Sequence, residues 1–298
     1  MTLSILLLTI LLLLTFSLQL SFHIRSYSKT YYNNKLNCYA ESDSPGDSEY
    51  GATALDDNGM GNCGLDNNIC ELKDLLMKTC YNSNRGQNIN DRSKVSSIVS
   101  QLVEQNNMKK DIIQSQLLGH WDLLYIDEDV TRSSPFFWAF RKAFKGIEDP
   151  LKLLGPTMLS ESIFKITDEI PFKEIGECKQ QFTSNELISN VIVKVSNLPF
   201  SSSSKMTTTS YWTTTSEEDI IEIRVEKTQV LDSTIGNLIK NTPLSTLIDT
   251  DIPFPSGNAL ELIKAGSSTV YMKILYIDEE LRICQNIQDD KLLIFKRT

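Results

Sequence analysis

The sequence predicts a mainly β protein, an antiparallel sheet closed into a barrel and preceded by an amphipathic helical segment. Three observations predict it. Ahead of about residue 110 apolar residues recur at helical spacing, and from about residue 117 onward they alternate singly with polar ones. The alternating runs are separated by polar or Gly/Pro-bearing stretches, which suits an antiparallel sheet with one dry face. Closing such a sheet removes its exposed edges.

Taken in order, residues 2–22 carry no charge, and 3–14 are almost continuously apolar. A core of about a dozen apolar residues fits a cleaved signal better than the ~20 that a membrane span needs, with a retained anchor as the alternative. Residues 22–40 hold Arg25, Lys29 and Lys35, several Ser, Tyr and Asn, and no acid. That composition suits an organelle transit peptide. Residues 1–21 are therefore read as a signal peptide, with Phe22 following the cut. Residues 22–69 are read as a transit-like segment and a disordered acidic linker. No asparagine begins an Asn-x-Ser/Thr sequon, which argues against a plain secreted protein.

Residues 70–110 form the helical segment. Leu72, Leu75, Leu76 and Cys80 make one stripe, and Val95, Ile98, Val99, Leu102 and Val103 a second, with Asn90 or Asp91 as cap. Asn84-Arg-Gly86 breaks the two apart. Residues 111–298 form the barrel. Its strands are read from Trp121, Leu123 and Tyr125; Phe164 and Ile166; Val191, Val193 and Val195; Ile221, Ile223 and Val225; Val270, Met272, Ile274 and Tyr276; and a last strand from Leu292 to Lys296. The run Met206-Thr-Thr-Thr-Ser210 favours another strand or a hairpin. Residues 231–260, with Pro243, Pro253 and Pro255, predict a lid-like loop or short helices over one end.

Composition removes several functions. A net charge of −9 lacks the basic footprint that nucleic acid requires. The chain holds two histidines, His23 in the leader and His120, so a multi-His metal site is excluded and a His-based triad would rest on His120. Six cysteines form no Cys-x-x-Cys pair. Cys63, Cys70 and Cys80 are read as isolated small apolar residues, with a disulfide or redox pair as the alternative. Gly-x-Ser-x-Gly and the phosphate-loop motif do not occur. No catalytic residue, metal or cofactor is expected.

Several blocks, in order, resemble the plastid lipid-associated protein (fibrillin) family. They are Leu72-Lys-Asp-Leu-Leu76 with Asn84-Arg-Gly86; Leu117-Leu-Gly-His-Trp-Asp-Leu-Leu-Tyr125; and Arg132-Ser-Ser-Pro-Phe-Phe-Trp-Ala-Phe140. Later come Lys205-Met-Thr-Thr-Thr209, Glu226-Lys-Thr-Gln-Val230, Tyr276-Ile-Asp-Glu-Glu-Leu-Arg-Ile283 and Leu292-Leu-Ile-Phe-Lys-Arg297. The resemblance spans residues 71–298. It departs at Cys284 and Gln285, where the family usually carries a second arginine.

The resemblance implies a lipocalin-like barrel, a non-catalytic role and partners that are lipids, carotenoids or quinones. It also implies a place at a thylakoid or plastoglobule surface, in a complex plastid reached through the bipartite leader. An enzyme working on an apolar substrate in the barrel and a secreted lipocalin-like carrier remain the alternatives.

The expected roles divide three ways. Gly119 and Trp121, with Arg282 or Arg297 laid over the indole, close the barrel's end. Trp121, Tyr125, Phe164, Met272 and Asp278 are candidate ligand contacts, Asp278 being otherwise a hairpin-turn residue. Phe136, Phe137, Trp138 and Phe140, with basic Arg141 beside them, either contact a membrane or droplet surface or form one wall of the core.

Overall fold

The computed structural model describes residues 67–105, 110–147, 159–168, 173–197, 200–217, 219–231 and 253–298. The signal, transit-like and linker readings up to residue 66, with His23 and Cys63, lie outside the described residues. So do residues 232–252 of the long connection. Eight antiparallel strands close into a barrel, each bonded to its sequence neighbours. They are β1 (Gly119–Ile126), β2 (Lys173–Phe182), β3 (Glu186–Asn197), β4 (Phe200–Thr214), β5 (Ile220–Leu231), β6 (Thr269–Ile277), β7 (Leu281–Asn286) and β8 (Lys291–Arg297). The seam is β1 on β8, with Trp121 opposite Arg297 and Ile126 opposite Leu293. The fold is thus the closed antiparallel barrel that the alternation predicts, and it fits the lipocalin-like form that the resemblance implies.

Two cores share the wall. The inner one collects Trp121, Leu123, Val191, Ile223, Met272 and Phe295, among others. The outer one packs α1 (Asn67–Asn82) and α2 (Arg92–Glu104) on the barrel's outside, through Leu76, Val95, Val99 and Leu102. They meet Leu124, Tyr125, Tyr276, Leu281, Ile283 and Ile294. Strands buried on both faces lose the alternating pattern, which is why Leu292-Leu-Ile-Phe295 reads as a solid apolar run.

The same hexapeptide motif, apolar-Leu-Tyr-Ile-Asp-Glu, occurs on β1 at 123–128 and on β6 at 274–279. Each copy carries a β-bulge, between Leu123 and Tyr125 and between Ile274 and Tyr276. A bulge inserts one residue and so swaps the faces beyond it. Tyr125 and Tyr276 consequently point outward to the helices, while Ile126 and Ile277 turn inward. The uninterrupted alternations expected for Trp121-Leu123-Tyr125 and for Val270-Met272-Ile274-Tyr276 are corrected there. The hydroxyls donate to Asp127 (2.6 Å) and Asp278 (2.7 Å), two residues on in each copy.

Phe164 and Ile166 lie on a helix, not a strand. Along α5 (Leu159–Asp168) Ser160, Ser162 and Phe164 are buried, and Glu161 and Lys165 are exposed. Two apolar residues flanking one lysine cannot distinguish the two periods. Between β1 and β2 a 3-10 turn, Val130–Ser133, leads into α4 (Pro135–Phe144). A short α3 (Lys110–Leu117) enters β1, and α6 (Ser256–Ile263) precedes β6.

Asn84, Arg85 and Gly86 all have left-handed φ angles, 50°, 58° and 86°. This turn folds the helical pair back on the end of β1, where Ile126 donates its backbone N–H to the Arg85 carbonyl. A Cβ on Gly86 would lie 2.1 Å from the Ile126 carbonyl oxygen. Gly86→Ala is expected to lower unfolding free energy by about 2 kcal/mol or more, from the left-handed backbone and the clash together. Urea unfolding checks it, and an unchanged midpoint would mean that the turn does not touch β1.

Candidate functional site

The barrel's two ends are built differently. At the end where β1 begins, Trp121 lies fully buried and donates its indole N–H to the Leu117 carbonyl at 2.9 Å. Two guanidinium groups bracket it, Arg297 at 4.3 Å and Arg282 at 4.9 Å from the ring centroid. Their surroundings separate their roles. Arg297 donates to the Leu118 carbonyl at 2.7 Å and to that of Gln116, tying the chain's last strand to the segment entering β1. Gly119 has φ 119°, and a Cβ there would stand 2.9 Å from the Arg297 guanidinium. Gly119, Trp121 and Arg297 therefore form the closure.

Arg282 lies inside the barrel. It is wholly buried, 4.0 Å over Phe295 and 4.9 Å over Phe182. One bond reaches it: Nη2 donates to Gln180 Oε1 at 2.6 Å. Nε and Nη1, three of the five N–H donors of a guanidinium, have no hydrogen-bond partner. Burial pushes its ionisation down to about 10, with Cys284 and then Arg297 as lesser influences. It stays charged at neutral pH.

A buried polar chain continues from it. Gln180 donates to the Ser133 carbonyl at 3.1 Å. The Ser134 hydroxyl bonds Thr208 at 3.0 Å, Thr208 stands 3.4 Å from Thr228, and Thr228 bonds Ser256 at 2.9 Å. The interior is thus apolar wall with one polar seam, where alternation predicts a uniformly dry face. Gln180 and Thr208 escape sequence reasoning because a polar residue at an inward position looks like one at an outward position until the register is known.

The other end is stoppered. Helix α4 packs on β4, β5, β6 and α6 and sends Trp138, Ala139, Phe140, Ala143 and Phe144 into the inner core. Pro135 starts it at a position that needs no amide donor. Trp138 is 1% and Phe140 5% exposed. The membrane-contact reading of these two is corrected: they fill the barrel mouth. Phe136 and Phe137 are half-buried against the same core.

Arg141 at the end of α4 meets Glu128 at 2.8 Å, Glu161 at 3.0 Å and Asp289, so its charge is already engaged by three carboxylates rather than offered to headgroups. The guanidinium groups of Arg132 and Arg141 lie 4.2 Å and 4.9 Å from the Phe164 ring centroid. A concavity of about 300 Å³ lined by these charges opens at the mouth, and one of about 660 Å³ lies beside Tyr211, Arg224 and Pro255.

Of the expected ligand contacts, Trp121 and Met272 face the interior and Phe164 lines the mouth. Tyr125 is corrected to the outer helix interface, for the bulge reason above. Asp278 is corrected to the β6–β7 hairpin, accepting the Glu280 and Leu281 amides at 2.8 Å and pairing with Lys73 of α1 at 2.8 Å.

Burial alone would raise the Asp278 carboxyl, but hydrogen bonds from Lys73, Tyr276 and those amides outweigh it and hold it below the usual range. A depressed folded-state value gives stability that is present above the ordinary Asp pKa of about 3.9 and lost as pH falls through the lower folded value. Asp278→Asn is expected to cost about 1–2 kcal/mol at pH 7, with the gap to the unaltered protein closing toward pH 2–3. Urea unfolding at the two pH values checks it; a gap that persists in acid would assign the cost to the turn alone.

Burial pushes the Cys80 and Cys178 thiols to about 12 and that of Cys284 to about 11, leaving no thiolate at neutral pH. Cys80, Cys178 and Cys284 are not in disulfides. His120 is exposed on the outside of β1. Among the described residues no group of three His, Cys, Asp or Glu stands close enough to hold a metal ion, and no helix is long and apolar enough to cross a membrane. No protein-family model, no curated protein and no solved structure matches the chain.

Proposed function

We propose that this chain is a fibrillin-type, non-catalytic protein whose barrel takes up an apolar small molecule such as a lipid, carotenoid or quinone. It acts at a thylakoid or plastoglobule surface of a plastid. An eight-stranded antiparallel barrel with an apolar inner wall is compatible with lipocalin-like binding of an apolar ligand. The observation that carries the reading is the asymmetry of the ends. One is sealed by strand pairing and the Trp121–Arg297 contact, the other by a separate aromatic helix on a loop.

Energetics favour a long ligand. Enclosing ten methylenes returns roughly 8 kcal/mol gross, and association costs reduce it. A micromolar grip needs about 8 kcal/mol net, so polyprenyl or carotenoid chains suit better than short ones. The resembling blocks support the family reading because they occupy the parts that build the container: the closing end of β1, the stopper helix, the β6–β7 hairpin and β8.

The test is mass spectrometry of apolar compounds retained by the full chain purified from plastid-bearing algal cells, with a fluorescent fusion to place it in the cell. One apolar compound held near equimolar, in a plastid-localised protein, is expected. Absence of any retained compound, together with failure to take up added carotenoid, quinone or fatty acid, would overturn binding. A secreted fusion would overturn the plastid assignment.

A further inference from the structure

The two arginines beside Trp121 are not equivalent. Arg297 does the closing, with its guanidinium satisfied by carbonyls of the entering segment. Arg282 is left over. It projects from β7 into the interior, forms no ion pair with a described residue, and keeps Nε and Nη1 free of partners while wholly buried. Ser210 Oγ and Asn286 Nδ2, also inward-facing and buried, are unsatisfied as well. A buried charge without a counter-ion is costly, and structures retain one where something complements it. The wall between this guanidinium and the mouth is apolar, with Val191, Val270, Ile274, Cys284 and Leu293 among its residues.

We propose that Arg282 receives the carboxylate of an elongated apolar acid, which enters head first and lays its tail toward the mouth in the space that α4 now fills. This rests on the proposed function above and narrows its ligand, among the apolar molecules named there, to a lipid with a carboxylate head. A carboxylate matches the unused donors through charge-assisted N–H···O bonds, the strongest kind available to a guanidinium. An alcohol or ester leaves the charge uncompensated. Gln180 makes the anchor and the stopper communicate, because its carbonyl oxygen holds Arg282 and its amide holds the Ser133 carbonyl at the root of α4. A head group that draws Arg282 away from Gln180 loosens one attachment of that helix.

The test titrates the full chain at pH 8 with a conjugated polyene fatty acid and with its methyl ester, reading polyene fluorescence and tryptophan quenching. The acid is expected to bind at least about tenfold tighter than the ester, a difference of about 1.4 kcal/mol. Arg282→Gln is expected to bring the acid down to the ester's affinity and to leave the ester within about twofold; Arg282→Lys keeps part of the preference. Equal binding of acid and ester to the unaltered protein would overturn the anchor and leave the container standing. So would a preference that survives Arg282→Gln but disappears in Arg297→Gln. Binding of neither would overturn the anchor, and the proposed function would then rest on uptake of carotenoid or quinone. Should Arg282→Gln fail to fold, the acid-to-ester ratio of the unaltered protein decides the matter.

Discussion

Trp121→Ala is expected to lower the unfolding free energy by about 3–5 kcal/mol, among the larger losses a single substitution gives. Three contributions converge on this ring. The indole is fully buried in the inner core, so its removal opens a cavity at the closed end. Its N–H leaves the Leu117 carbonyl without that donor. Two cation–π contacts disappear, and Arg282 loses one of the three aromatic faces that shelter it. Guanidinium-induced unfolding, with the slope checked for constancy, reads the loss. A cost below about 1 kcal/mol would be incompatible with a barrel sealed by this ring. Trp121→Phe should recover part of the stability, since it restores apolar volume but not the donor.

The second large effect is expected at Arg132, which joins the stopper to the barrel. It is 2% exposed and pairs with Asp168 of α5 and, at 3.7 Å, with Asp129. Nη2 donates to the Phe164 carbonyl at 3.2 Å, and its own backbone carbonyl accepts the Trp138 indole N–H at 2.7 Å. Arg132→Met keeps the apolar stem and removes the charge. The expected cost is about 2 kcal/mol, because the buried guanidinium's hydrogen bonds and its place over Phe164 are lost, while Asp168, 40% exposed, is left partly to solvent.

Asp129 retains Lys173 at 2.8 Å, whereas Asp168 keeps only the longer Lys173 contact of 3.6 Å. Burial already holds the Asp168 carboxyl above its ordinary value, with Arg132 partly offsetting it. Without Arg132 that value rises further. A raised folded-state value favours the fold at low pH and loses that support as pH climbs through it, so the variant's deficit should be larger at pH 7 than at pH 4. Adding Asp168→Asn should return part of the loss, and a cycle of the two substitutions measures the coupling. Strict additivity would show that the pair does not hold the mouth.

Much of the architecture was legible in the residues alone. A period of two or of 3.6 is written among neighbours a few positions apart, so the alternations of β3 and β5 and the helical stripes of 70–104 could be read directly. The Gly119–Trp121 opening with an arginine laid on the indole was an expectation of the family resemblance, not of any local period. The fate of Phe164 and Ile166 could not be read, since two apolar residues around one lysine fit either period. Nor could the destination of Tyr125, because a single bulge residue reverses every face beyond it, whereas the hairpin-turn alternative for Asp278 is the one that the structure takes.

What the sequence by itself determined is a closed antiparallel barrel with a helical flank, an apolar wall and a Trp-centred end. Tertiary structure alone decided that α4 is a stopper rather than a surface anchor, and that a polar seam crosses the interior. It also divided the two arginines between closure and an unpaired interior charge. Those outcomes depend on pairings between residues often a hundred or more positions apart, such as Trp121 with Arg297 and Gln180 with Arg282. Burial and hydrogen-bond satisfaction are properties of such pairings, and no local pattern of side chains carries them.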